Sequence, residues 1–170
     1  MSAQQPLPTM LSRHVRRLAY LPASPGLRRL YSSEAPVDVS PEVQDALHHG
    51  SAVVALESAI ITGGMPQPIN LKTALSVENK VRSAGSTPAT IGLLDGRFKV
   101  GLTEAQLERL ADVDHSPNLM KLTRRDLPAA VALGRSGGTT ISATSILANL
   151  VGIRVSISQD IECVQAIHEA

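Results

Sequence analysis

Tryptophan is absent from this sequence, aromatic residues make up only 2 %, and there is a single cysteine, Cys163. Because 43 % of the 170 residues are hydrophobic, a core exists, and it must be built from Ala, Val, Leu and Ile. That is the usual filling of buried parallel strands and their covering helices. The composition excludes a fibrous, collagen-like or disordered chain. One cysteine excludes an internal disulfide and suits a reducing compartment; as a lone thiol it reads as incidental rather than as a nucleophile. No run reaches the roughly 18 apolar residues of a spanning helix. The longest candidate, Thr139 to Val155, is broken by Ser142, Thr144, Ser145, Asn149 and Arg154.

Acid is also missing, but only from one end. No Asp or Glu precedes Glu34, while Arg13, Arg16, Arg17, Arg28 and Arg29 all do. The remainder carries eleven bases against fifteen acids, a net charge of −4. A body of that sign has no electrostatic reason to seek nucleic-acid phosphates. Residues 1–33 are rich in Arg, Ser and Pro, and Arg13, Arg16 and Arg17 alternate with Leu11, Val15 and Leu18. A helix of that pattern separates charge from apolar surface, as a mitochondrial targeting leader does. Arg29-Leu30-Tyr31-Ser32-Ser33 reads as its processing site, with cleavage after Tyr31; the alternative is a basic tail with no address.

Beyond the leader, strands and helices alternate. Ser40-Pro41-Glu42-Val43 opens a helix, with Ser40 as cap and Pro41 in the first turn. The adjacent pair His48-His49 at its end points in directions about 100° apart, which suits a solvated helix end better than one shared metal ion. Ala52 to Glu57 is a short apolar run, hence a buried strand, and it ends in a carboxylate. Gly63 to Pro68 reads as a loop. Asn70 is placed as the cap of a helix with Ala74, Val77, Val81 and Ala84 on its buried stripe. Ala89 to Leu94 and Arg97 to Val100 flank Asp95-Gly96, a hairpin signal. Thr103 and Gln106 form a capping box, with Leu102 and Leu107 as staple. Asn118 to Thr123 is a strand, Asp126 caps a helix, Gly137 to Thr140 is a loop, Ile141 to Leu150 is a helix, and Ile153-Arg154-Val155 opens a further strand. This order predicts a three-layer α/β/α domain whose mixed sheet is mostly parallel, with one antiparallel hairpin.

In such sheets ligands bind outside the carboxyl ends of the strands. Glu57 lies at one such end, and Lys121, Arg124 and Arg125 lie at another. A carboxylate closing an apolar strand is half-desolvated, which suits it to proton donation, whereas bases beside helix starts suit a phosphate. Equally, Glu57 could sit in a salt bridge and the three bases on a solvated rim. Gly137-Gly138-Thr139-Thr140 lacks the lysine of a P-loop, which argues against a nucleoside triphosphate.

Seven blocks carry a resemblance. They are Ser40 to Leu47, Val53 to Ser58, Gly64 to Pro68, Pro88 to Ile91, Lys99 to Leu102, Arg124 to Pro128 and Gly138 to Thr140. Taken together and in order, from about residue 38 to 155, they resemble the pseudouridine-5′-phosphate glycosidase family, also called indigoidine synthase A-like. The resemblance implies reversible cleavage of the C–C bond between uracil and ribose 5-phosphate in pseudouridine 5′-phosphate, with manganese or another divalent metal. It further implies a homotrimer and a lysine that forms an imine with the ribose carbon. Residue by residue, it makes Glu57 the proton donor, Lys121 a substrate-binding lysine and Ile141 a backbone contact to the substrate. In some eukaryotic members a sugar-kinase domain is joined on; nothing like it is present here.

After Val155 the pattern departs. The family continues through a Thr-Gly-Gly-Ile-Gly-Gly-Val-His type of loop to a metal-binding Asp and the imine-forming Lys, whereas residues 156–170 contain no glycine. Asp160 lacks the surroundings of that metal ligand, so no metal ligand is assigned. The tail reads as the product of a truncated or mis-spliced frame. Residues 1–33, 38–155 and 156–170 are therefore expected to be leader, amino-terminal part of the enzyme domain and divergent tail, with no turnover by this chain alone. The competing expectation is a non-catalytic remnant that binds substrate or pairs with a full-length copy.

Overall fold

The computed structural model describes residues 36–116, 118–157 and 164–166; the segment 1–33 expected to be a leader, Asp160 and Cys163 lie outside them. The longest strand, β3 (Thr87–Leu94), is buried along nearly its whole length, and what pairs with it arranges the rest. On one edge β4 (Arg97–Val100) returns antiparallel. Asp95 and Gly96 take φ values of 51° and 76°, the positive-φ pair that a two-residue hairpin turn needs. The expected hairpin forms.

On the other edge, two strands share β3 end to end. β2 (Val53–Leu56) runs parallel to its first half, finishing with Leu56 beside Thr90. β6 (Gly137–Thr139) runs antiparallel to its second half, with Gly137 beside Leu93 and Gly138 beside Gly92. Outward from these lie β1 (Val37–Val39), parallel to β4, and β5 (Met120–Leu122), parallel to β6. β7 (Val155–Ile157) is parallel to β2, and β8 (Val164–Ala166) is antiparallel to β7. β8 thus pairs the edge beyond Val155. The sheet is mixed, as expected, but it contains three antiparallel pairings, β3–β4, β3–β6 and β7–β8, rather than one hairpin.

Alternation along β3 sorts the helices into two layers. Ala89, Ile91 and Leu93 share a buried cluster with Val43 and Ala46 of α1 (Pro41–His48), Ala130 of α5 (Leu127–Ala132) and Leu147 and Ala148 of α6 (Ile141–Val151). Leu94 faces the other way. Its cluster holds Ile61 of α2 (Ala59–Gly63), Ala74 of α3 (Ile69–Ser83) and Leu107, Leu110 and Ala111 of α4 (Glu104–Ala111). No described helix is long and apolar enough to cross a membrane.

Local signals set several ends. Ser40 accepts from the Val43 amide at 3.4 Å, the Thr103–Gln106 capping box closes in both directions, and Gly152 ends α6 in the left-handed region at φ 88°. Four expectations fail.

Asn70 is not a cap. α3 starts two residues earlier than a cap at Asn70 would set it, after Pro68, and Asn70 is fully buried, its Nδ2 donating to the Ile61 and Ala111 carbonyls at 2.9 and 2.8 Å. The buried stripe of α3 is Asn70, Ala74, Glu78 and Val81, not the all-apolar set. Asp126 precedes α5 but turns its carboxylate back to the Thr123 amide and hydroxyl, at 2.8 and 2.6 Å. Gly137 to Thr139 is a strand rather than a loop, because its glycines admit neighbours no side chain would allow. A Cβ on Gly137 would collide with the Met120 carbonyl, and one on Gly138 would sit 2.5 Å from the Ser58 carbonyl oxygen.

Candidate active site

The end-to-end meeting of β2 and β6 builds the site. Both strands stop with their carboxyl ends facing each other at the level of Ile91, so the Ile91 carbonyl looks into a seam. Side-chain hydroxyls fill it. Ser58 Oγ donates to the Ile91 carbonyl at 2.5 Å and Thr139 Oγ1 donates to the same oxygen at 2.7 Å. Ser58 Oγ also accepts from the Thr139 amide at 3.0 Å, and the Ser58 amide donates to the Thr139 carbonyl at 3.1 Å. Since the Thr139 proton is committed to Ile91, Thr144 of α6 donates to Thr139 Oγ1 across their 2.9 Å separation. Ser58, Thr139 and Thr144 are all 0 % exposed. A buried polar cluster is tolerated when its members satisfy one another, as here.

The residues singled out from sequence stand around this seam. Glu57 is half-buried at the end of β2, immediately before Ser58. Ile141 is the first residue of α6, two beyond Thr139. Lys121 is exposed and lies beside Gly138 in register. Paired residues of neighbouring strands project to the same face, so Lys121 leaves the sheet on the side where Gly138 meets Ser58 and Thr62. The structure therefore brings Glu57, Lys121 and Ile141 to one seam by backbone pairing.

The start of α6 suits an anion. Thr140 precedes the helix without capping it; its hydroxyl donates instead to the Leu122 carbonyl at 3.0 Å. The first-turn amides of a helix have no intrahelical acceptor and carry the positive end of its dipole. The Arg124 amide donates to Ser142 Oγ at 3.4 Å, which holds the exposed Arg124-Arg125 loop against this helix end. Asp126 braces that loop, and its bonds from Thr123 hold its carboxyl below the usual range. A carboxyl group can deliver a proton, and helix amides and bases can hold a phosphate.

Among the described residues, no three His, Cys, Asp or Glu side chains cluster to hold a metal ion. The divalent metal implied by the resemblance does not fit this set, and no step is routed through one.

Sequence reasoning missed Ser58, Thr139 and Thr144 as a unit, together with β1, α2 and the buried Glu78. One signal was available. Adjacent glycines beside a strand mark a close backbone approach, and Gly137-Gly138 is such a pair.

A profile of the family described as "Indigoidine synthase A like protein" matches residues 42–165, which include Glu57, Lys121 and Ile141. The pseudouridine-5′-phosphate glycosidase of Escherichia coli K12 is 50 % identical over 119 residues, covering 70 % of this chain and 38 % of that protein. The glycosidase of Jannaschia sp. CCS1 is 52 % identical over 120 residues, 71 % of this chain and 39 % of its own. The chain thus spans well under half the length of these relatives. Among solved structures, the prealnumycin C-glycosynthase AlnA in complex with ribulose 5-phosphate superimposes with a TM-score of 0.61 at 39 % identity, over 71 % of this chain and 37 % of that one. An indigoidine synthase A-like protein from Thermotoga maritima MSB8 gives 0.61 at 27 % identity, over 72 % and 38 %. A profile match from residue 42 to 165 and about half identity to these relatives place the chain by descent as well as by shape: it belongs to the indigoidine synthase A-like family.

Proposed function

We propose that this body is the amino-terminal part of a C-glycosidase that reversibly splits pseudouridine 5′-phosphate into uracil and ribose 5-phosphate. The observation that carries the reading is the family match over residues 42–165, at about half identity to proteins bearing that name, across the seam that gathers Glu57, Lys121 and Ile141. Breaking the bond leaves its electron pair on the uracil carbon, which then needs a proton. Glu57 supplies it. Lys121 and the amides opening α6 hold the 5′-phosphate, so binding and proton delivery belong to this part of the fold. Support for a pentose phosphate comes from the ribulose 5-phosphate of the C-glycosynthase neighbour. The imine-forming lysine and the metal ligand implied by the resemblance have no assigned counterpart among these 170 residues, so this reading gives them no role here. Residues 1–33 direct the chain to mitochondria, which a fluorescent fusion of that segment would reveal by its location.

Calorimetry of the 170-residue chain with ribose 5-phosphate tests the binding half. Saturable binding is expected, weakened about tenfold or more by Lys121→Ala through loss of one charge-assisted contact. The catalytic half is tested by uracil release from pseudouridine 5′-phosphate with manganese. No turnover is expected, and release by this polypeptide would overturn the division of roles. A silent titration would remove the substrate assignment itself.

A further inference from the structure

Glu57 and the start of α6 come from strands that run in opposite directions, separated by some eighty residues of sequence, and yet a reaction on a phosphate-anchored sugar needs them at a fixed spacing. The strand ladder ties β2 and β6 each to β3 but not to one another, since both stop at the seam. The links across it are the reciprocal backbone and side-chain bonds of Ser58 and Thr139, at 3.0 and 3.1 Å, continued into the first turns of α6 by the 2.9 Å bond that Thr139 Oγ1 accepts from Thr144. The Thr144 amide in turn donates to the Thr140 carbonyl at 2.8 Å, which closes the path around Ile141. Both Ser58 and Thr139 are anchored on one carbonyl, that of Ile91, in the middle of the most buried strand. An apolar core would fill the same volume, but it would not fix the seam's width to one hydrogen-bond length.

Building on the glycosidase reading, we infer that Thr139, acting with Ser58 and Thr144, is a positioning residue that makes the proton donor at 57 and the phosphate-binding amides at 141 move as one unit. Its amide and carbonyl join it to Ser58, and its hydroxyl, bonded to the Ile91 carbonyl and to Thr144, fixes that backbone against β3 and α6. Thr139→Val keeps the shape and removes only that group; Thr139→Ser keeps the group and loses a methyl.

Two readouts on the 170-residue chain test this. The first is residue-resolved amide exchange. In Thr139→Val, exchange at residues 57–59 and 140–144 should rise together by about tenfold, the worth of one buried hydrogen bond, while the α3 and α4 amides stay within about twofold of wild type. Thr139→Ser should restore the wild-type pattern. The second is ribose 5-phosphate affinity, expected to fall about tenfold in the Val variant and to recover in the Ser variant. A uniform rise in exchange over the whole chain, or a Ser variant no better than Val, would reduce the cluster to ordinary core and overturn the inference. Should the Val variant not fold, Thr144→Val and Thr144→Ser decide by the same criteria from the other end of the path. Should the wild-type chain ignore ribose 5-phosphate, the glycosidase reading fails, and the exchange data alone still uphold or refute the coupling of the two segments.

Discussion

Two consecutive residues of β3 present polar groups in different directions, Ile91 its carbonyl along the sheet into the seam and Thr90 its hydroxyl off one face, and the two surroundings deal with them differently. The Ile91 carbonyl receives two neutral hydroxyls in a seam closed to solvent. Thr90, one residue earlier, donates its hydroxyl at 2.5 Å to a carboxylate, that of Glu78 on α3, which is only 8 % exposed. Burial pushes the Glu78 carboxyl up, and the Thr90 bond and the Arg82 charge, 3.9 Å from Oε2, pull it back only in part. Arg82 is shared, since it also grips Glu42 of α1 at 2.9 Å. This second group borders a cleft of about 470 Å³ whose walls include Ser40, Glu42, Arg82, Thr103 and Glu104, so water reaches one side of it. The hydroxyl cluster of Ser58, Thr139 and Thr144 is buried and uncharged, the cleft wet and charged. Hydroxyls that satisfy one another fix geometry at any pH, whereas a buried carboxylate ties the same strand to the proton concentration.

The sharpest way to break the seam is to fill it. Gly138→Ala would place a methyl 2.5 Å from the Ser58 carbonyl oxygen and 2.6 Å from Thr62 Oγ1, a clash that backbone must absorb. Its expected cost is about 3 kcal/mol, read from urea unfolding; a variant as stable as wild type would mean that β6 does not abut Ser58. Emptying the seam costs less. Ser58→Ala removes one donor from the Ile91 carbonyl and strands the Thr139 amide, about 1–3 kcal/mol for a buried group left unmade. Because the bonds of Ser58, Thr139 and Thr144 involve only hydroxyls and backbone groups, that loss should be the same near pH 5 as near pH 8, and a strong pH dependence would contradict the neutral network.

Much of the fold was legible because it rests on local signals. Asp95-Gly96 specified its hairpin, Thr103 with Gln106 specified a helix start, and the run Val53 to Leu56 specified a strand parallel to its neighbours. Glu57, Lys121 and Ile141 were nameable from motif resemblance, but their common location was not. It depends on β6 running against β3, and three residues bearing two glycines carry no strand propensity. They pair because their lack of side chains lets Met120 and Ser58 come close, a tertiary cause invisible at short range. The same holds for Glu78. An all-apolar stripe through Ala74, Val77, Val81 and Ala84 is the natural reading of α3, yet the helix is rotated so that Asn70 and Glu78 face inward, the one claimed by the Ala111 carbonyl of α4 and the other by Thr90 of β3.

The cleft side is sharpened by pH. Glu78 has its folded-state value raised, so the folded chain holds the proton more tightly than the unfolded one. Stability is full below the ordinary glutamate value of about 4.3 and falls as pH rises from there toward the folded value. Glu78→Gln keeps an acceptor for Thr90 and cannot ionise. It should flatten this limb of the stability–pH curve, and an unaltered slope would mean that Glu78 remains hydrated in the cleft. The smallest effect belongs to a hydroxyl that lacks what the seam's hydroxyls have. Ser156 Oγ, on β7 between β2 and β8, is buried and makes no hydrogen bond among the described residues. Withdrawing a hydroxyl from water without return is unfavourable, so Ser156→Ala should leave stability unchanged or raise it by up to about 1 kcal/mol. A loss of that size instead would reveal an acceptor for Ser156, and burial of a lone hydroxyl would then no longer separate this strand from the seam, where each hydroxyl is matched to a partner.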